Sequence, residues 1–458
     1  MSVTHQSTTE HHCTLSIVLT LTVGFIWYLV PHPILAVVIS LLPIAILVVL
    51  SQTFWLVLLF VVFSFFRIHE VFPALYPLRI PLMLSAGALA ALLWHTLISR
   101  QVTLFWHRCF IWLFAFWGIV LIGVLLAANR DVAMTMFKGT YWKIMIMTLA
   151  IAWLITSPKE LSRFSVLMII SGFLVSCVAL FNSVNGIGLV EGSRVTIGRD
   201  FGSMLGDPND LALVLMFPLA FSVAIATTNG INKGFRTLSF ITSLLLMMAV
   251  IATQSRGGLL GSLAVLGVYA WRLIPSKTLL VFVASTAMVV LYAVAGISSR
   301  ASGGAAEAGI DASAMGRLYA WEAAFKMALD NPIFGVGLNN FYYNYYFYSP
   351  HWDGLNHAVH STWFGVLAET GFLGLGLFII FIVSLVRCAT STLRKLDSTT
   401  SAPPYLKAMA IAVYSGLIGT IISGTFLTQG FNWPIYILAA LTIAVSQIAS
   451  QFENRPQQ

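Results

Sequence analysis

Charge is scarce in this chain. Only 9% of its 458 residues are Asp, Glu, Lys or Arg, 59% are hydrophobic, and the mean hydropathy is +0.90. A soluble domain carries roughly 25% charged residues, so a water-facing globular or disordered protein is excluded. Cysteine is also scarce: Cys13, Cys109, Cys177 and Cys388 are scattered along the chain. That excludes a disulfide framework and leaves no metal-spaced cysteine cluster in the sequence. The apolar runs lack period-two alternation, which excludes a membrane β-barrel. No internal repeat, low-complexity tract or soluble terminal domain is found. No small-residue cleavage site follows Val30, so the first apolar run is expected to be a span and not a removed signal peptide.

What is present is a series of apolar runs, mostly 15 to 25 residues long, the length a helix needs to cross about 30 Å of hydrocarbon. The expected fold class is all-α: a polytopic integral membrane helical bundle with 12 to 14 transmembrane helices. The runs lie near 14–30, 34–50, 52–66, 80–98, 104–127, 140–156, 162–182, 209–228, 235–254, 257–274, 278–297, 361–387, 405–428 and 432–450. Residues 1–458 are expected to form a single membrane domain. A loop insertion at 298–360, rich in Gly, Tyr, Trp and His, is expected to carry short amphipathic helices.

With both termini cytoplasmic, the inner side collects thirteen Lys and Arg, including Arg100, Arg108, Arg387, Arg394 and Lys395, against eleven outside. Three of those eleven, Arg300, Arg317 and Lys326, lie in the long loop, which the positive-inside rule does not count. Twelve of the sixteen acidic residues fall outside. The external face thus carries both signs of charge, and the net charge of +8 is explained by topology and contact with anionic lipid, without nucleic acid.

Four constellations fall on the external side. In EGSRVTIGRDFGSMLGDPNDLA, residues 191–212, Arg194 and Arg199 precede a turn where Asn209 or Asp210 can cap a helix and Pro208 suits its first turn. The arginines are either solvated or meet an anion. In TQSRGG, residues 253–258, Gly257 and Gly258 suit a tight turn, whereas nothing in a turn demands Arg256 except snorkelling or a ligand. In GRLYAWEAAFKMALDNPIFGVGLNNF, residues 316–341, Leu318, Trp321, Ala324, Phe325 and Leu329 recur at helical spacing. The expected helix lies on the membrane surface, with Trp321 as interfacial anchor, and stops at Asn331-Pro332. Arg317 at its start opposes the helix dipole unless an anion is near. In AVHSTWFGVLAETGFLG, residues 358–374, His360 opens a span. On spacing alone it is either an ordinary interfacial histidine or a functional one, with His351 and His357 nearby.

Taken in order, SRGG (255–258), GRLYAWEAA (316–324), NPIFGVGLNNF (331–341) and HSTWFGVLAETGFLG (360–374) resemble the O-antigen ligase family of bacterial membrane glycosyltransferases. The likeness covers roughly residues 190–385, and O-antigen polymerases and protein O-oligosaccharyltransferases share it. The resemblance implies transfer of a glycan from undecaprenyl diphosphate to the lipid A-core oligosaccharide, at the periplasmic face of a bacterial inner membrane. It implies Arg256 and Arg317 as diphosphate ligands, Arg194 or Arg199 as additions to that site, and His360 as the catalytic base. Ser361 and Thr362 stand where many relatives have Asn and another residue.

The chemistry fits these residue types. Arginine offers a planar, permanently charged donor set for phosphate oxygens, and histidine titrates close to working pH. Direct displacement by an acceptor hydroxyl inverts the anomeric centre. No DxD pair or acidic cluster occurs in the external loops, so arginine is expected to replace a divalent ion, with no cofactor. The aromatic run FYYNYYFY, residues 341–348, either stacks sugars or forms an interfacial belt. A transporter of an anionic lipid would place ionisable groups at midplane in two related halves. The spans over 209–297 are nearly uncharged inside, which favours chemistry at the surface.

Overall fold

The computed structural model describes residues 33–72, 74–282, 312–399 and 401–453, with isolated positions at 20, 21, 24, 25, 28, 285 and 286. The described chain is α-helical, and its β contact is an isolated bridge between Val190 and Arg194. In order the main helices are α1 (Pro33–Ser51), α2 (Thr53–Phe66), α3 (Ile80–Leu93), α4 (Arg108–Leu126), α5 (Trp142–Leu154), α6 (Pro158–Asn185) and α7 (Pro208–Thr227). They continue with α8 (Lys233–Ala252), α9 (Arg256–Leu273), α10 (Ala312–Asp330), α11 (Phe341–Tyr348), α12 (Thr362–Ser398), α13 (Pro404–Ser423) and α14 (Trp433–Glu453). The all-α polytopic reading holds.

Among the described residues eight helical stretches are long and apolar enough to cross a bilayer, or nine if α1 and α2, bent by 82°, form one broken span. The expected spans at 14–30 and 278–297 lie mostly outside the described residues. The one expected at 140–156 is the 13-residue α5, led in by a π turn over Phe137–Tyr141. The one at 257–274 is α9, which carries Arg256 and Arg272 at its ends and is diluted by glycine.

The centre of the bundle is α7, with 83% of its apolar window buried inside the protein, compared with 28% for the peripheral α8. It packs on α6, α8, α9 and α13. Lipid tails are as apolar as leucine, so close helix approach relies on small residues. A Cβ added at Gly261 of α9 would lie 2.6 Å from the Met216 sulfur and 2.8 Å from Ser423 Cβ, and one at Gly419 of α13 would lie 2.6 Å from Val265.

Helices α4 and α12 pack together and run in opposite directions. The end of α4 meets the loop before α11, where Ala128 N–H donates to Val336 O at 2.9 Å. At the start of α4, Cys109 Sγ lies 3.7 Å from Ser384 O. The bundle therefore has a His360 end and an opposite end marked by Arg108 and Ser384.

At the His360 end α12 is broken at Gly371, whose φ of 70° and ψ of −173° suit only glycine. The segment Asn331–Phe341 threads into that break. Phe372 N–H donates to Pro332 O at 2.8 Å, Val336 N–H to Ala368 O at 2.8 Å, and Gly337 N–H to Glu369 O at 3.2 Å. Asn340 is fully buried, accepting from Asn129 N–H at 2.8 Å and donating to Asn129 O at 3.1 Å. The loop is thus bonded on both sides, to α12 and to the end of α4.

Candidate functional site

The site is assembled where α7, α9, α10 and α12 begin or pass. Thr362 N–H donates to Gly424 O at 2.8 Å, and its hydroxyl donates to Leu427 O at 2.6 Å while accepting from Gln429 N–H at 3.0 Å. Gln429 Nε2 reaches Asp210 Oδ1 at 3.4 Å. The stretch 424–429 therefore ties the start of α12 to the start of α7. The start of α9 sits against the same stretch, because a Cβ at Gly257 would come within 2.9 Å of Phe426 Cβ.

His360 does not open a helix. Ser361 is the N-cap of α12, and His360 precedes it with a left-handed φ of 46°. That conformation is uncommon outside glycine and is held here by anchors on both sides. On one side is Thr362. On the other, Trp321 Nε1 donates to Val359 O at 3.1 Å, and its ring stacks on Phe364 at 5.1 Å between centroids and 9° between planes. Trp321 is thus an internal clamp and not the interfacial anchor expected of it.

Helix α10 is where sequence periodicity located it, but its buried face shares just Trp321 and Ala324 with the expected stripe. Ala320, Ala323, Ala324, Met327 and Ala328 are fully buried, whereas Leu318, Phe325 and Leu329 are 45%, 45% and 56% exposed. Small side chains let α10 approach α12, and the larger apolar ones are left outward. Arg317 is the sixth residue of the described helix and not its first, so the dipole argument for it loses force. It precedes Trp321 by one turn on the same face, which directs it toward His360.

Burial and the nearby Arg317 charge hold the His360 imidazole below its ordinary pKa of 6.5, with a smaller contribution from His357, while the Asp207 carboxylate opposes them. The half-buried ring is therefore neutral near pH 7, and a carboxylate is at hand to stabilise the imidazolium once formed. The other loop histidines are engaged elsewhere. His351 stacks on Tyr319 at 4.0 Å, and His357 Nε2 lies 3.0 Å from both Asp353 carboxylate oxygens.

Asp207, not Asn209 or Asp210, caps α7, accepting from Asn209 N–H at 2.7 Å and Asp210 N–H at 3.4 Å, with Pro208 as the first helical residue. Asn209 Oδ1 instead accepts from Ser255 Oγ at 2.9 Å and Arg194 Nη2 at 3.0 Å. Ser255 in turn caps α9 by accepting from Gly258 N–H at 3.2 Å. Arg256 is the first residue of that helix, half-buried beside this node. Gly257 and Gly258 are helical and serve packing, not a turn: a Cβ at Gly258 would lie 2.3 Å from Ala212 Cβ.

Arg194 is buried and donates through Nε to Thr253 O at 3.1 Å, with Glu191 at 3.6 Å from Nη1. With Asn209 Oδ1 accepting from Nη2, these contacts make it a brace between α7, α8 and α9. Arg199 is exposed, and the contacts it makes lie in its own loop, where Nη1 donates to Gly206 O at 3.0 Å. The structure brings Arg317 and His360 together and ties Arg256 and Arg194 to the same floor. Sequence reading missed the roles of Asp207, Asn209, Ser255 and Gln429, offering Asn209 as a helix cap alone. The signal for the first three was present in GDPND and in the serine of SRGG.

Folding also gathers His107, Cys109 and Cys388 at the opposite end, all within 4.8 Å of one another. His107 Nδ1 accepts from Cys109 N–H at 3.2 Å, so the proton sits on Nε2, which faces Cys388 Sγ at 3.8 Å. In this arrangement neither ring nitrogen offers a lone pair to an ion.

The architecture is thus that of a multi-pass membrane protein with a cationic, histidine-bearing site at one end of its bundle. Residues 241–379 match the family model described as O-Antigen ligase. The chain is also 23% identical over 425 residues to the teichuronic acid biosynthesis protein TuaE of Bacillus subtilis (strain 168), covering 86% of this chain and 83% of that protein. Both likenesses support glycosyl transfer at a membrane in polysaccharide biosynthesis.

Proposed function

We propose that the protein transfers a glycan from undecaprenyl diphosphate to the lipid A-core oligosaccharide, as an O-antigen ligase of the bacterial inner membrane with its site facing the periplasm and both termini in the cytoplasm. The observation that carries this reading is His360, fixed in a left-handed conformation and held neutral beside Arg317. The acceptor hydroxyl attacks the anomeric carbon and its proton passes to the His360 imidazole. The bond from the anomeric carbon to the diphosphate oxygen breaks, with inversion. Arg256 and Arg317 take up the charge on the departing diphosphate, in place of a divalent ion. Arg194 braces the Arg256 helix, and Arg199 is a further cation for the donor. The insertion supplies Arg317 from its helix α10.

A second reading, polymerisation with another lipid-linked glycan as acceptor, is favoured by the likeness to a protein of teichuronic acid biosynthesis. Supplying purified protein with lipid-diphosphate-linked glycan and either lipid A-core or a second lipid-linked glycan separates the two. Product with lipid A-core alone supports ligation, product with the second glycan alone supports polymerisation, and no product with either refutes both readings.

A further inference from the structure

At the end of the bundle opposite His360, a cavity of about 790 Å³ opens between the start of α4, the later half of α12, and α14. Ser384, on its wall, is 22 residues past Thr362 along α12, roughly 33 Å at the helical rise, which places the cavity near the other membrane surface. Arg108 and Arg387 both line it, and no Asp or Glu does. Both arginines are exposed, and neither has a carboxylate partner among the described residues. Asp397, an acid on the same helix, is held by Arg272 at 2.6 Å.

Two further features narrow the ligand. Trp106, 66% exposed and stacked on Phe114, and Trp112 stand at the mouth, as indoles do at headgroup depth. One wall is the bare apolar face of α12, with Ile379, Ile380 and Val383 each 40–43% exposed. A ligand filling this space presents an anion to two guanidinium forks and hydrocarbon to the wall beside them.

We propose that this cavity binds the phosphate of an anionic membrane lipid, with Arg108 and Arg387 as its ligands and the Ile379–Val383 face alongside its acyl chains. Arginine pairs well with a phosphate's several acceptor oxygens, and basic clefts between spans are suited to such headgroups. The site is independent of the transfer chemistry at His360.

The test is native mass spectrometry of the full chain with dioleoyl phosphatidylglycerol or dioleoyl phosphatidylcholine, repeated with inorganic phosphate as competitor. Phosphatidylglycerol is expected to bind at least tenfold more tightly than phosphatidylcholine. The double variant Arg108→Gln, Arg387→Gln is expected to bind it about thirtyfold more weakly, and Arg387→Gln alone about fivefold. Arg394→Gln, an exposed cation on the same helix outside the cavity, serves as control. Equal binding of the two lipids overturns the proposal, as does equal weakening by Arg394→Gln. Full displacement by inorganic phosphate at the lipid's own concentration overturns the lipid assignment. Thermal unfolding without lipid checks that each variant folds, and the single variant still decides if the double one does not.

Discussion

The Glu369 carboxylate accepts the backbone N–H of Asn339 at 2.7 Å and also that of Phe341 at 3.3 Å, closing the insertion onto α12 from inside the bundle. A Cβ at Gly335 would strike Ala368 O at 2.3 Å, and one at Gly371 would strike Pro332 O at 2.5 Å. The two motifs NPIFGVGLNNF and ETG are therefore one interlocked structure. It is this lock that carries Arg317 and the His360 segment on a common support.

Glu369 is accordingly a structural group. Glu369→Ala removes the acceptor of two backbone N–H donors, Phe341's buried and Asn339's partly exposed, each hydrogen bond to a charged group being worth about 1.5–3 kcal/mol, so a melting temperature several degrees lower is expected, with Glu369→Gln milder. Gly371→Ala adds both strain and overlap and is expected to be worse than either. Thermal unfolding followed by tryptophan fluorescence reads this order. An unchanged melting temperature for Glu369→Ala would show that the carboxylate bonds do not hold the insertion.

Arg256→Lys and Arg317→Lys are both expected to lose most transfer activity while folding normally, because lysine keeps the charge and not the bidentate fork. Near-normal turnover in both variants rules them out as diphosphate ligands. Addition of EDTA is expected to leave wild-type activity unchanged, and loss restored by magnesium would show that arginine does not stand in for a metal.

Much of the architecture was legible because hydropathy and helix period are local properties. Helix α10 shows where that stops. Its period marked a helix ending at Asn331-Pro332, yet of the stripe Leu318, Trp321, Ala324, Phe325 and Leu329 the large aliphatic residues and Phe325 are exposed and Ala324 is buried, since packing against α12 selected the alanines. Arg317 and His360 were visible through their motifs. Asp207 was not, because its effect on His360 depends on the 424–429 stretch joining α7 to α12, a contact between distant parts of the chain. The engagement of Arg194 by Thr253 and Asn209 is likewise tertiary.

The pH dependence follows from the groups around His360. A base works when deprotonated, and burial and Arg317 both disfavour the imidazolium, so the acid limb of the rate profile is expected at a midpoint below 6.5. Asp207 favours the imidazolium, so Asp207→Asn, which keeps a helix cap, should move that midpoint further down. Arg317→Gln should move the imidazole titration up, as read by NMR on the inactive variant. Shifts of the reverse sign would show that these charges do not face His360.

Topology is testable without activity. Cysteine placed at Leu355 in the insertion, 66% exposed, should react with an impermeant thiol reagent added outside spheroplasts. Cysteine at Ser398, exposed at the far end of α12, should react only after permeabilisation. Labelling in the opposite order would invert the chain and move the site to the cytoplasmic face.

His360→Ala should abolish transfer while the protein still binds lipid diphosphate, because a general base acts on the acceptor's proton and adds little to holding the donor. Loss of such a base costs about 100- to 10,000-fold in rate. The residual turnover should climb with pH as hydroxide substitutes for the imidazole. His351→Ala and His357→Ala should be much milder, since those rings are occupied by Tyr319 and Asp353. Alanine also relieves the left-handed backbone at position 360 poorly, so melting temperature must be read beside rate. A variant that folds, binds donor and transfers at a normal rate removes His360 from the chemistry, and an inactive His351 variant beside it would relocate the base to the insertion.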